Sequence, residues 1–129
     1  MTEKVILYIE DNAHNRRIVR KLLSIYGYTI IEAEDGLQGY EMIQDLKPPL
    51  VLLDISLPTM DGIQIAGKVK ADEELRHIPL IALTASAMRG DRERFLEAGC
   101  DDYLSKPVDA MELRQMVDSY HPANITEKG

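Results

Sequence analysis

The sequence contains a single cysteine, Cys100, so no disulfide can form within the chain. A lone cysteine fits a reducing compartment, and we expect a cytoplasmic protein. No apolar run approaches the roughly 20 residues of a membrane-spanning helix, and the N-terminal segment MTEKVILYIED turns acidic too soon for a secretory signal. We therefore expect no membrane partner.

Basic side chains are outnumbered as well. The chain carries 15 Lys and Arg against 22 Asp and Glu, a net charge of −7, which argues against nucleic acid as the main partner. Its length of 129 residues and hydrophobic fraction of 45% are typical of one globular domain. We assign residues 1–120 to that domain and predict a polar C-terminal tail over 121–129, with no second domain after it.

Five short apolar runs are bounded by Gly, Pro, Asp or Asn, which is the pattern of strands. They are VILYI (5–9), TIIEA (29–33), LVLLD (50–54), PLIALT (79–84) and DYLS (102–105). The first, third and fourth are almost continuously apolar, as in parallel strands covered on both faces.

Helical patterns lie between the strands and after the last one. The apolar positions that mark them are Ile18 to Tyr26 after the cap Asn12 and before Gly27; Tyr40, Ile43 and Leu46; Ile63, Ala66 and Val69 after Asp61-Gly62; Met88, Phe95 and Leu96 before Gly99; and Leu113 and Val117 after the cap Asp109. Strands that alternate with helices predict an α/β fold, a doubly wound (βα)5 parallel sheet.

Ligands of an open α/β sheet bind at the carboxyl ends of its strands. The predicted ends carry Glu10-Asp11, Asp54, Thr84 and Lys106. Each of these residues has an ordinary interpretation by itself, as a solvated loop carboxylate, a strand residue or a turn. Their occurrence at four of the five strand ends favours a site.

The chemistry of these side chains indicates that site's ligands. Three carboxylates held together call for a cation, and oxygen ligands without His or Cys favour Mg²⁺, Mn²⁺ or Ca²⁺ over zinc. Lys106 supplies a second positive charge suited to a phosphate, and the Thr84 hydroxyl can donate to a phosphoryl oxygen. The set is suited to phosphoryl transfer onto a carboxylate.

Several stretches resemble the receiver domain of two-component response regulators, the CheY-like family. The matching pieces are Glu10-Asp11, LLDISLPTMDG around Asp54, ALTA (82–85) and AGCDDYLSKP (98–107), and the resemblance covers about residues 4–119. EDNAHNRRIV (10–19) is similar to receivers of hybrid kinases and to single-domain receivers of the DivK type.

This resemblance implies a strand order of 2-1-3-4-5. It also implies that Asp54 is the phosphoacceptor, with Lys106 paired to the phosphoryl group. Mg²⁺, with Mn²⁺ as a substitute, would be held by Asp11, Asp54 and the backbone carbonyl of Ser56, and by Glu10 through water. Pro107 would follow a cis peptide bond.

The resemblance further implies a switch pair, Thr84 and Tyr103, that changes the surface of the fourth helix, fifth strand and fifth helix. A histidine kinase or a histidine phosphotransfer protein would be the donor, and a protein target would bind the changed surface. The chain would be a monomer or a weak dimer and would catalyse only its own phosphorylation and dephosphorylation.

Three alternatives remain at this point. An aspartyl phosphatase of the haloacid dehalogenase type is disfavoured because such enzymes carry a second Asp two residues after the nucleophile, where this chain has Ser56. A flavodoxin-like cofactor binder is disfavoured because acidic EDNAHN follows the first strand where a phosphate loop is needed. A docking module that works without phosphorylation is the third.

Overall fold

Five parallel strands alternate with five helices in the computed structural model, which describes residues 3–85 and 91–124. The strands are β1 Val5–Ile9, β2 Thr29–Ala33, β3 Val51–Asp54, β4 Leu80–Thr84 and β5 Asp102–Ser105. The helices are α1 Ala13–Ser24, α2 Gly36–Leu46, α3 Gly62–Ala71, α4 Asp91–Ala98 and α5 Ala110–Tyr120. The sheet order β2-β1-β3-β4-β5 confirms the predicted doubly wound fold.

The element boundaries differ from the predicted ones by a few residues. Strands β3 and β4 each begin one residue later, but Leu50 and Pro79 still accept hydrogen bonds of 3.0 Å from the sheet through their carbonyls. Helix α1 ends at Ser24, before the predicted stop at Gly27. Met88, predicted for the fourth helix, lies outside the described residues.

Polar side chains start the helices where the sequence predicts. Asn12 and Asp109 both accept a hydrogen bond from the N–H three residues on, at 2.9 Å. Asp61 forms a capping box with Gln64 at the start of α3, which satisfies two otherwise free N–H groups of the first turn. These caps fix the points at which the chain leaves the carboxyl edge of the sheet.

The sheet is covered on both faces. Alternate residues of each strand face opposite layers, so Ile6 and Tyr8 of β1 pack with α1 and α5, whereas Leu7 and Ile9 pack with α2, α3 and α4. Within the part of the chain that the structure describes, no helix has the length and apolar character needed to cross a membrane.

The predicted polar tail starts at a buried residue. His121 is fully buried, and its Nε2 lies 2.9 Å from the carbonyl oxygen of Val5, while Nδ1 accepts a 3.1 Å hydrogen bond from the N–H of Ala123. The ring also packs on Tyr28, with 5.5 Å between centroids. A histidine with both ring nitrogens satisfied can be buried, and a sequence pattern cannot distinguish it from a solvated one. Residues 125–129 of the predicted tail lie outside the described residues.

The stability of the fold should depend on the protonation of His121. Burial lowers the pKa of His121 below its ordinary 6.5, and the positive charge of Lys4 adds to this, although the Val5 carbonyl and Asp118 oppose it. The unfolded chain therefore binds this proton first, and the free energy of unfolding should fall as the pH drops below about 6.5. Urea unfolding measured above and below that pH should show that the free energy of unfolding depends less on pH in His121→Gln than in the wild type. The exposed His77 provides the control, and an equal loss of slope in His77→Gln would contradict this expectation.

Candidate functional site

Four neighbouring strands bring the predicted site residues to one edge of the sheet. β1 pairs with β3, β3 with β4, and β4 with β5, all parallel. Glu10 follows the last residue of β1, Asp54 ends β3, Thr84 ends β4, and Lys106 follows β5. The geometry thus gathers residues that lie far apart in the sequence.

Three carboxylates converge there. Glu10, Asp11 and Asp54 each offer an oxygen, and these oxygens all lie within 4.8 Å of one another. The side chains of Glu10 and Asp54 are buried, with only 1% and 4% of each residue exposed, whereas Asp11 is exposed to solvent. With two buried carboxylates and one exposed carboxylate, the site can be approached by a cation from the side of Asp11.

Lys106 is shared between the two buried carboxylates. Its Nζ lies 2.9 Å from Oε1 of Glu10 and 3.2 Å from Oδ1 of Asp54. The predicted cis peptide bond between Lys106 and Pro107 is present. The Lys106 side chain is 21% exposed, so it is partly open to solvent while its ammonium pairs with both acids.

Further donors hold the same carboxylates. The Tyr8 hydroxyl donates to Oε1 of Glu10 at 3.0 Å, and the N–H of Asn12 donates to Oε2 at 3.2 Å. The N–H of Ser56 donates to Oδ1 of Asp54 at 3.3 Å. Sequence reasoning missed Tyr8. The available signal was its position two residues before Glu10 on a strand, which places both side chains on one face.

These contacts shift the pKa values in opposite directions. Burial raises the pKa of Asp54, and the negative charge of Glu10 raises it further against the opposing effect of Lys106. Burial acts the same way on Glu10, but the hydrogen bonds from Lys106 and Tyr8 outweigh it and lower its pKa. Burial lowers the pKa of Lys106, but the two acids reverse this and raise it. Burial and the negative charge of Glu10 raise the pKa of Tyr8, so the hydroxyl keeps its proton. The site thus favours the charged forms of Glu10 and Lys106, whereas it disfavours the charged form of Asp54.

Arg16 is another residue that the sequence did not reveal. Its guanidinium donates to the backbone carbonyl of Glu10 at 2.8 Å and to Glu32 of β2 at 3.1 Å. Arg20 contacts Glu32 as well but not Glu10. Arg16 therefore ties the end of β1, which carries the acidic pair, to the neighbouring strand.

The loop after Asp54 packs closely on the start of α3. The N–H of Gly62 donates to the carbonyl of Ile55 at 3.0 Å, and a Cβ on Gly62 would lie 2.8 Å from the carbonyl oxygen of Asp54. Only glycine permits this approach. The close packing holds the backbone around Ser56 next to the acidic cluster.

Tyr103, one of the two predicted switch residues, packs on the face of the sheet that α2, α3 and α4 cover. Thr84 is 5% exposed at the end of β4, and Tyr103 of β5 is half-buried with its ring 6.0 Å from that of Phe95. The N–H of Lys106 donates to the carbonyl of Thr84 at 2.8 Å, which links the two strand ends. Their role as a switch stays a prediction.

A cavity of about 470 Å³ opens beside Lys106, between α1 and the segment after β5. Most of its lining is apolar. Its lining residues are Tyr8, Asn15, Ile18, Val19, Ala85, Lys106, Pro107 and Val108. The Lys106 side chain thus borders open space on one side and the acids on the other.

The chain matches a known family over most of its length. The model of the response regulator receiver domain matches residues 6–118. The chain belongs to this family. It is thus a phosphoacceptor of two-component signalling, supplied by a histidine kinase or a phosphotransfer protein, and not a conventional enzyme. The phosphatase and flavodoxin-like alternatives are set aside.

Individual receivers are similar to it in sequence and structure. The polar-differentiation response regulator DivK of Brucella anthropi is 39% identical over 91% of this chain and 95% of its own, and DivK of Brucella ovis is 40% identical over the same shares. The receiver domain of a Pseudomonas aeruginosa sensor histidine kinase, solved with a magnesium ion in its active-site cleft, is 36% identical. It matches with a TM-score of 0.83 over 91% of this chain and 96% of its own. The expected resemblance to DivK-type and hybrid-kinase receivers is confirmed.

The crowding of carboxylates should make the metal-free receiver less stable than it could be. Asn fills the space of Asp54 but removes one of the two buried negative charges. We therefore expect Asp54→Asn to raise the free energy of unfolding in buffer with a chelator by about 1 kcal/mol. Added Mg²⁺ should reduce the difference in the free energy of unfolding between Asp54→Asn and the wild type. Urea unfolding with and without Mg²⁺ checks this, and a less stable Asp54→Asn under metal-free conditions would contradict it.

Proposed function

We propose that Asp54 is the residue that receives the phosphoryl group. The position of Asp54 supports this proposal: it ends a central strand and is 4% exposed. The Lys106 ammonium lies 3.2 Å from its carboxylate, and two more carboxylates lie next to it. An oxygen of Asp54 attacks the phosphorus of a phosphohistidine. An oxygen–phosphorus bond forms, the nitrogen–phosphorus bond breaks, and the electron pair leaves with the histidine nitrogen.

The oxygen-rich site fits Mg²⁺, for which Mn²⁺ can substitute. Asp11, Asp54 and the backbone carbonyl of Ser56 would hold the ion, and Glu10 would act through its water, which agrees with the exposed position of Asp11 at the mouth of the site. When bound, the cation neutralises charge on the phosphoryl oxygens. Lys106 supplies the second positive charge, because it already contacts the accepting carboxylate.

The phosphorylated state would be read on the surface formed by α4, β5 and α5. Thr84 would move toward the phosphoryl oxygens, and Tyr103, which lies against Phe95 of α4, would follow. A protein target that prefers this arrangement shifts the equilibrium toward it. We place the chain in the cytoplasm, as a monomer or a weak dimer.

Phosphorylation can be tested with a small phosphodonor. With Mg²⁺ and acetyl phosphate, intact-mass analysis should show one added phosphoryl group on the wild type and none on Asp54→Asn, because the amide is a poor nucleophile. Asp61→Asn is the matched control: Asp61 is exposed, lies in the same loop and keeps its capping role as Asn. An equal adduct on Asp54→Asn would show that another residue accepts the group.

The switch pair can be tested separately. Beryllofluoride with Mg²⁺, a mimic of the phosphoryl group, should change hydrogen exchange in α4 and β5 of the wild type. Thr84→Val keeps the shape of Thr84 but removes its hydroxyl, so the exchange change should shrink while the mimic still binds. Exchange of β2, on the far edge of the sheet, serves as the internal control. A full response of α4 and β5 in Thr84→Val would exclude the proposed role.

A further inference from the structure

Tyr8 places a hydroxyl inside an otherwise apolar stretch of β1. The residue is 1% exposed and packs with Val19 and Leu23 of α1. The alternation of the strand puts Tyr8 and Glu10 on the same face, and the hydroxyl donates to Oε1 of Glu10 at 3.0 Å. A phenylalanine would fill the same space, so packing alone does not explain the hydroxyl.

The same oxygen also receives Lys106. Nζ lies 2.9 Å from Oε1, while the second oxygen of Glu10 accepts from the N–H of Asn12. Two of the three donors, the Tyr8 hydroxyl and the Asn12 N–H, come from the same chain segment as Glu10 and are fixed relative to it. Lys106 comes from the other side of the site and borders the cavity next to α1. It is therefore the donor that can leave.

The arrival of a phosphoryl group on Asp54 would draw Lys106 away from Glu10. The ammonium already contacts Asp54 at 3.2 Å, and a phosphoryl group adds more negative charge there. The carboxylate of Glu10, a residue that is 1% exposed, would then lose the only cation that pairs with it among the described residues, because Arg16 contacts the backbone carbonyl instead. A buried carboxylate without compensation is costly, so Lys106 can turn only as far as other donors keep Glu10 satisfied.

We propose that Tyr8 is a positioning residue of the phosphoacceptor site, whose hydroxyl holds Glu10 in place and so frees Lys106 for the phosphoryl group. The inference rests on the proposed roles of Asp54 and Lys106. Tyr8 touches neither the accepting oxygen nor the incoming group and acts through Glu10. A purely structural Tyr8 would support the fold and leave the chemistry unchanged.

The test removes the hydroxyl and nothing else. Tyr8→Phe should slow phosphorylation by acetyl phosphate at saturating Mg²⁺ by about tenfold, as is common for residues that orient a site's ligands. Tyr28→Phe is the matched control, since it deletes a hydroxyl that is bonded to Asp118 near the C-terminal end of the domain. It should have a similar effect on stability and none on the rate.

A double-mutant cycle shows whether Tyr8 acts through Glu10. In Glu10→Ala, the added Tyr8→Phe change should leave the rate within about twofold, because no carboxylate remains to be held. Urea unfolding without metal gives a second readout. Tyr8→Phe should lower the unfolding midpoint of the wild type but not that of Glu10→Ala.

Two results would overturn the proposal. One is a rate for Tyr8→Phe equal to that of Tyr28→Phe, and the other is the same slowing with and without Glu10. Neither can be confused with a failure of the proposed function, which would appear as phosphorylation of Asp54→Asn. The unfolding curves also show whether each variant is folded.

Discussion

The site depends on one ammonium group held between two buried carboxylates. Lys106 lies 2.9 Å from Glu10 and 3.2 Å from Asp54, and Asp11 adds a third negative charge close by. Two like charges about 4 Å apart repel by about 4 kcal/mol at the effective dielectric of a protein surface, so one lysine cannot balance three acids. The folded chain holds this residual repulsion as long as no further cation is bound. The same imbalance gives the site its affinity for a divalent cation.

Such crowding is tolerated because the strands that carry the acids are held on all sides. β1 and β3 are central strands, hydrogen-bonded to a neighbour on each edge and covered by helices on both faces. Arg16 adds a tie between the end of β1 and Glu32 of β2. The free energy of the core thus fixes backbone positions that the acids alone would push apart. Strain at the functional edge is offset by packing elsewhere.

The sequence was sufficient to predict the strands, the helices and the polar residues at the strand ends. It was not sufficient to predict contacts that form only in the folded chain. Strand ends are marked by the change from apolar to polar residues, so the sequence alone places Glu10, Asp54, Thr84 and Lys106 at one edge of the sheet. Tyr8 could not be identified, because an aromatic residue inside a strand is also what ordinary packing requires. His121 shows the converse: its polar character predicts solvent, yet contacts with Val5 and Ala123 bury it. Whether a polar group is buried depends on its hydrogen-bond partners. One partner of His121, Val5, lies more than a hundred residues before it in the sequence.

The alternation of the strands divides the proposed chemistry from the proposed readout. Tyr8 and Leu104 belong to the layer of α1 and α5, and alternation carries Glu10 and Lys106 to that same face. Tyr103 instead packs against the layer of α2, α3 and α4. In the proposed switch, a signal from Asp54 to Tyr103 would therefore cross the sheet at its edge, where the Lys106 N–H donates to the Thr84 carbonyl at 2.8 Å. Since the sheet below is packed on both faces, the proposed movement would be confined to this edge. Under this proposal, a phosphoryl group would act on one helical surface while the rest of the fold stays unchanged.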